Sequence, residues 1–105
     1  MASKDYVSFL ADRLKECLSL SLEGERLNTT ANLVSRYSAE LNELVKANVG
    51  DNEQITKVFK NFVNKILSSV EALGLSDKQY AAIRKLIQSE IYGCLDIVIK
   101  ESKAK

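Results

Sequence analysis

One helix ends and another begins within the stretch Leu73-Gly74-Leu75-Ser76-Asp77-Lys78-Gln79. Gly74 can take the left-handed conformation that ends a helix, and Leu75 can then pack back on the preceding turn. Ser76 and Gln79 have the spacing of a capping box, in which two side chains bond to backbone N–H groups at the start of a helix. The sequence therefore predicts a tight connection between two helices here.

Helical periodicity extends from this connection in both directions. Apolar residues recur every three or four positions in four segments, at about 4–22, 29–48, 52–73 and 77–102. Asn28, Thr29 or Thr30 would cap the second helix, and Asp51 with Gln54 resembles a capping box for the third. Short connections are typical of antiparallel neighbours. We expect an all-α fold, an antiparallel up-down four-helix bundle, with homodimerisation as a way to complete it.

Length and composition favour a single soluble domain over residues 1–105. Hydrophobic residues make up 46% of the 105 residues and charged residues 28%, which is ordinary for a folded domain. The net charge of +1 gives no electrostatic reason to expect binding to nucleic acid or to an anionic membrane. The polar start of the chain has no apolar signal-peptide core, and no apolar run approaches the roughly 20 residues of a membrane span. We expect a cytoplasmic protein without membrane contact.

Cys17 and Cys94 are far apart in the sequence and lie on apolar helix faces. No histidine accompanies them, and they lack the spacing of a metal or redox motif. They are predicted to be buried thiols that act as small hydrophobic groups, with a disulfide as the alternative.

The segment Ile91 to Ile99 is apolar almost all round when it is wound as a helix. Such a helix either runs through the middle of the fold or offers a second apolar face to another chain. Large apolar residues of the first helix also project away from its core stripe. Together these side chains predict a contact surface for a protein partner, made of Tyr6, Phe9, Arg13, Leu20, Tyr92, Leu95 and Ile99. The alternative is that the fourth helix is simply the most enclosed member of the bundle.

Two residues of the fourth helix do not fit its apolar pattern. Gly93 lowers helix stability by roughly 1 kcal/mol relative to Ala, so it either permits close approach of another helix or is a tolerated weak point. Glu90 projects into an apolar stripe, where a carboxylate must be paired or neutral. We expect Arg13 or Arg36 to pair with this possible buried charge, unless it is partly exposed at an end of the bundle.

No enzyme motif is found in this sequence, and no cofactor, metal or small-molecule substrate is implied. Histidine, the usual general base, is absent. We therefore expect a small non-enzymatic helical protein-interaction module. It would act as an adaptor, regulator or inhibitor that binds a larger protein, and it would self-associate. The alternative is an accessory nucleic-acid-binding protein that contacts phosphates through Lys57, Lys60 and Lys65 on the third helix.

Overall fold

The computed structural model describes residues 6–103, with side chains described from 7 to 101, and it is all-helical over that range. The four helices, in chain order, are α1 Tyr6–Ser19, α2 Gly24–Ala47, α3 Asn52–Glu71 and α4 Asp77–Lys103. The predicted start of the first helix, at about residue 4, lies outside the described residues. The predicted ends at about 22 and 73 are too late, because residues 20–21 and 72–73 form turns after α1 and α3.

Each helix contacts two others, and the contacts close a ring in the order α1, α2, α3, α4 and back to α1. Within the described residues, the backbone of α1 does not come close to that of α3, nor that of α2 to that of α4. One hydrophobic core fills the space between the four helices, and Phe59, Leu14 and Ile87 are among its fully buried side chains. These contacts fit a helical bundle. Across residues 6–103, no helix combines the length and the apolar character that crossing a bilayer requires.

The start of α2 differs from the prediction. The helix begins at Gly24, after Glu23 in an extended conformation (φ −148°, ψ 166°), and not near residue 29. Thr30 has a side chain typical of a helix cap, but it lies inside α2 and is only 1% exposed. It shares the buried face of the helix with Val34. Burial of this face against the core therefore overrides the local capping preference, and Asn28, Thr29 and Thr30 do not cap the helix.

Three other predicted boundary signals are confirmed, at the start of α3, the end of α3 and the start of α4. The Asp51 side chain accepts a hydrogen bond from the Gln54 backbone N–H at 3.1 Å, at the start of α3. The Ser76 hydroxyl accepts from the Gln79 backbone N–H at 3.2 Å, at the start of α4. Gly74 takes the predicted left-handed conformation with φ of +70°. The predicted connection between α3 and α4 is thus confirmed, although the Gln79 side-chain oxygen, predicted to bond to a backbone N–H, accepts from the Ser76 hydroxyl at 3.3 Å.

The apolar pattern predicts that α1 buries six residues, and all six are buried: Val7, Leu10, Ala11, Leu14, Cys17 and Leu18. Its prediction for α3 is confirmed at every position but the last: Ile55, Val58, Phe59, Phe62, Ile66, Val70 and Leu73. Leu73 is only partly buried, and Val63 is a buried residue of α3 that the pattern missed. The predicted stripes of α2 and α4 fit less well, since Leu44 and Leu86 are 46% and 39% exposed. These exposed positions show that α2 and α4 bury a narrower or differently oriented face than their apolar patterns predict.

Candidate functional site

An open apolar groove of about 270 Å³ runs along the contact between α1 and α4. Phe9 on one side and Ile97 on the other are 69% and 44% exposed, although both have large apolar side chains. Exposed apolar surface of this kind, bordered by polar residues, is typical of binding sites. The lining from α1 includes Phe9, Leu10 and Arg13, and that from α4 includes Glu90, Gly93 and Ile97.

Gly93 leaves the α4 backbone uncovered in this groove. A Cβ atom built on Gly93 would meet no atom within 4 Å, apart from its chain neighbours and the nearby backbone of its own helix. No helix of the described chain therefore uses Gly93 for close approach. The gap faces outward, where a side chain from another molecule can reach the α4 backbone.

An ion pair between Arg13 and Glu90 joins the two helices across the groove. Nη2 of Arg13 donates to Oε2 of Glu90 at 2.9 Å, and Nε donates to Oε1 at 3.2 Å, so the contact is bidentate. The hydrogen bond and the charge of Glu90 raise the pKa of Arg13 above its usual value. The pairing of Glu90 with Arg13 was one of the two predicted, and it is confirmed. The two side chains remain 52% and 27% exposed, so the pair can also be reached from outside.

The two cysteines are buried thiols, as predicted. Burial raises the pKa of Cys94, which also lines the groove, to about 11. Burial also raises the pKa of Cys17, and the negative charge of Glu90 raises it further. Both thiols therefore keep their protons near neutral pH, where a catalytic cysteine would need its thiolate.

Two matching stripes of residues follow α1 and α4, and part of each stripe lines the groove. We define the α1 stripe as Phe9, Arg13, Glu16 and Leu20, and the α4 stripe as Leu86, Glu90, Gly93 and Ile97. In each stripe successive residues are four, three and four positions apart, which is the spacing of the contact positions in a coiled coil. Each stripe has large apolar residues at its ends, and these are exposed. The polar residues and glycine lie between them.

The remaining predicted contact residues do not gather in the groove. The side chain of Tyr6 lies outside the described residues, and Tyr92 is 41% exposed but does not line the groove. Leu20, at the end of the α1 stripe, is 76% exposed as predicted. The prediction that Leu95 faces away from the core is wrong, because it is 9% exposed and belongs to the core. Ile99 is partly buried against the same core, which is a second correction.

Near the C-terminal end of α4 the buried face is formed by Ile91, Cys94 and Leu95, with Val98 and Ile99 partly buried, whereas Ile97 points outward. The apolar pattern of α4 predicts that Ile97, which shares the stripe around Glu90, and Leu86 both face inward, but both are exposed. A comparison of the two stripes would have found them, because the four-three-four spacing of the first helix recurs in the fourth.

The predicted lysine face of α3 is partly occupied by other groups of the chain. Nζ of Lys65 lies 3.1 Å from Oε1 of Glu40 and 5.4 Å from the centre of the Tyr37 ring. The negative charge of Glu40 and the ring face therefore already hold this cation. Lys57 and Lys60 are exposed.

Within the described residues, no three His, Cys, Asp or Glu side chains come together as a group that could hold a metal ion. Comparisons with protein families, with curated proteins and with solved structures found no match to this chain. The function is therefore inferred from the groove and its residues.

Proposed function

We propose that the protein is a small, non-enzymatic interaction module that binds a protein partner in the groove between α1 and α4. It would act as an adaptor, regulator or inhibitor by covering a surface of a larger protein, and it would also associate with itself. The observation that carries the proposal is the exposure of Phe9 and Ile97 on either side of the open backbone at Gly93. Removing either large side chain from water is worth about 1.5–3 kcal/mol when burial is complete.

Part of this proposal is that neighbouring helices run antiparallel. The 14 residues of α1 extend for about 21 Å, whereas four extended residues, such as 20–23, span at most about 14 Å. A parallel neighbour would require the connection to return along the full length of the helix. The connection at 48–51, between the 24-residue α2 and α3, is equally short. In the antiparallel arrangement, α1 and α4 run in opposite directions along the two sides of the groove.

The ionisable groups of the groove support a binding role over a catalytic one. Glu90 stabilises the charged form of the Arg13 guanidinium, so Arg13 neither donates nor accepts a proton near neutral pH. Cys94 keeps its thiol proton. The sequence contains no histidine that might serve as a general base in their place.

A photo-crosslinking amino acid at position 9 tests this proposal in cells of the organism that makes the protein. We expect light to join position 9 to one protein partner, either a different protein or a second copy of this chain, which mass spectrometry of the product identifies. The matched control carries the same amino acid at Val49, which is 63% exposed between α2 and α3. The product should disappear when Ile97 is replaced by Asp in the position-9 protein. Equal yields from positions 9 and 49, or a product that Ile97→Asp leaves unchanged, would overturn the proposal.

The competing hypothesis of phosphate binding by Lys57, Lys60 and Lys65 is less favoured at Lys65, which is paired with Glu40, whereas Lys57 and Lys60 are exposed. A mobility-shift titration over a range of salt concentrations tests it directly. Binding through lysines weakens steeply as salt rises, because each phosphate contact releases counterions. An absence of binding at low salt would remove this alternative.

A further inference from the structure

We infer that the occupant of the groove is a second copy of this chain, placed so that α1 of each copy lies against α4 of the other. This inference depends on the proposed function, because it names the partner of the same groove. The twofold axis would run parallel to the helices and pass between α1 and α4. Such a dimer is isologous, meaning that both copies use the same patch of surface.

The first argument for a second copy is that the two stripes fit each other. Across the proposed axis, the α1 stripe of one copy faces the α4 stripe of the other at the same height as its own α4 stripe. Phe9 then faces the open backbone at Gly93 and the exposed Ile97 of the second copy. A large side chain on α1 of one copy thus lies opposite the uncovered backbone on α4 of the other copy. The shared four-three-four spacing lets the two stripes stay in register along their length.

The second argument is charge complementarity. Arg13 already pairs with Glu90 in its own chain, and both remain accessible from the groove. The same axis places Arg13 opposite Glu90 of the second copy, so each cation would lie between two carboxylates. A polar residue at such a contact position fixes register and partner choice in helical assemblies. The net charge of +1 adds little repulsion between copies.

The available area is also sufficient. The molecule measures 44 × 22 × 17 Å, so a face along its long axis is of the same order as the roughly 800 Å² that one partner contributes to a standard interface. The exposed apolar ends of both stripes lie on this face. Phe9 and Leu20 belong to α1, and Leu86 and Ile97 belong to α4.

The test is charge complementation between two variants, Arg13→Glu and Glu90→Arg. Size-exclusion chromatography with light scattering should give twice the chain mass for the wild type across a tenfold range of concentration. Each variant alone should be a monomer, because like charges then face each other across the axis. A mixture of the two variants should recover the dimer with one copy of each. Neither variant can form the ion pair within its own chain, so only contact between copies can restore the dimer.

A second pair of variants guards against loss of folding as the cause. Gly93→Leu should raise the dissociation constant more than tenfold, since the new side chain fills the gap that receives Phe9. The fold of one chain should survive, because position 93 is exposed and a Cβ atom there meets nothing within 4 Å, so the Leu side chain can extend into solvent. Ala81→Leu, at an exposed position of α4 away from the stripe, should leave the dissociation constant unchanged. Circular dichroism checks that all four variants remain helical.

The inference is overturned if the wild type is a monomer throughout, if the mixture of charge variants stays monomeric, or if Gly93→Leu associates as the wild type does. These results would leave the proposed function standing whenever position 9 crosslinks to a different protein. Absence of any crosslink at position 9 would instead remove the proposed function itself.

Discussion

Replacement of Ser38 by Ala should make the protein more stable, although it removes a hydrogen-bonding group. Ser38 lies in the middle of α2 and is 5% exposed. Its Oγ is buried and has no hydrogen-bond partner among the described residues. A buried polar group without a partner destabilises a protein by about 1–3 kcal/mol, because it has lost its hydrogen bonds to water. Ala is also the better helix former, by about 0.5 kcal/mol.

The lost packing contacts of the single oxygen atom offset part of this gain. We therefore expect Ser38→Ala to raise the free energy of unfolding by about 1–2 kcal/mol. In a domain of this size each kcal/mol corresponds to a rise in Tm of about 4–8 °C. Denaturation by urea, followed by circular dichroism, measures the free energy, and a thermal scan measures Tm.

Ser35→Ala is the matched control for this prediction. Ser35 lies on the same helix, about one turn earlier, but it is exposed. Its replacement should change only helix propensity and raise the free energy of unfolding by about 0.5 kcal/mol. The difference between the two variants isolates the effect of burying the hydroxyl. If Ser38→Ala proved less stable than the wild type, the hydroxyl would have a partner, and the reasoning would be refuted.

Three further predictions follow from burial and backbone conformation. Gly74→Ala should lower the free energy of unfolding by about 1 kcal/mol, because φ of +70° strains a residue with a Cβ; an unchanged urea midpoint would contradict this. Phe59→Ala should lower it by about 3–5 kcal/mol, because the ring is fully buried; a loss below about 1 kcal/mol in the same assay would show that the ring is not part of the core. Burial raises the pKa of Cys94 from 9.0 to about 11. Between these pH values the folded protein keeps a proton that the unfolded chain loses, so the free energy of unfolding should fall as the pH rises from 9 to 11. After allowance for screening of the thiolate charge by solvent in the groove, the free energy of unfolding should fall by about 1–2 kcal/mol more in the wild type than in Cys94→Ala. Equal changes with pH in the two proteins would refute this prediction.

Much of the fold could be predicted because its signals are local. The caps at Asp51 and Ser76 and the left-handed Gly74 each depend on residues a few positions apart. The same local reasoning failed at the start of α2. Thr30 has the side chain of a helix cap, but its contact with the distant core decided its place within the helix. A pattern within one segment does not contain that information.

The candidate site was predicted only in part for the same reason. Phe9 and Arg13 project from a helix whose core face is unambiguous, and the pairing of Arg13 with Glu90 followed from the cost of an unpaired charge. The segment from 91 to 99 offers apolar residues on every side, so the sequence alone could not decide which of them point outward. The positions of two neighbouring helices bury Leu95 and expose Ile97.

The ion pair between Arg13 and Glu90 joins residues 77 positions apart, and it lies where the first and last helices close the ring. The other three contacts between helices are formed by segments that follow one another in the chain. The entropic cost of closing a loop rises by about 0.6 kcal/mol with each doubling of its length, so the contact between α1 and α4 costs the most to close. The groove therefore follows the contact between helices that joins the most distant parts of the chain. A molecule bound there would stabilise this contact, and slower amide hydrogen exchange along α1 would report its presence.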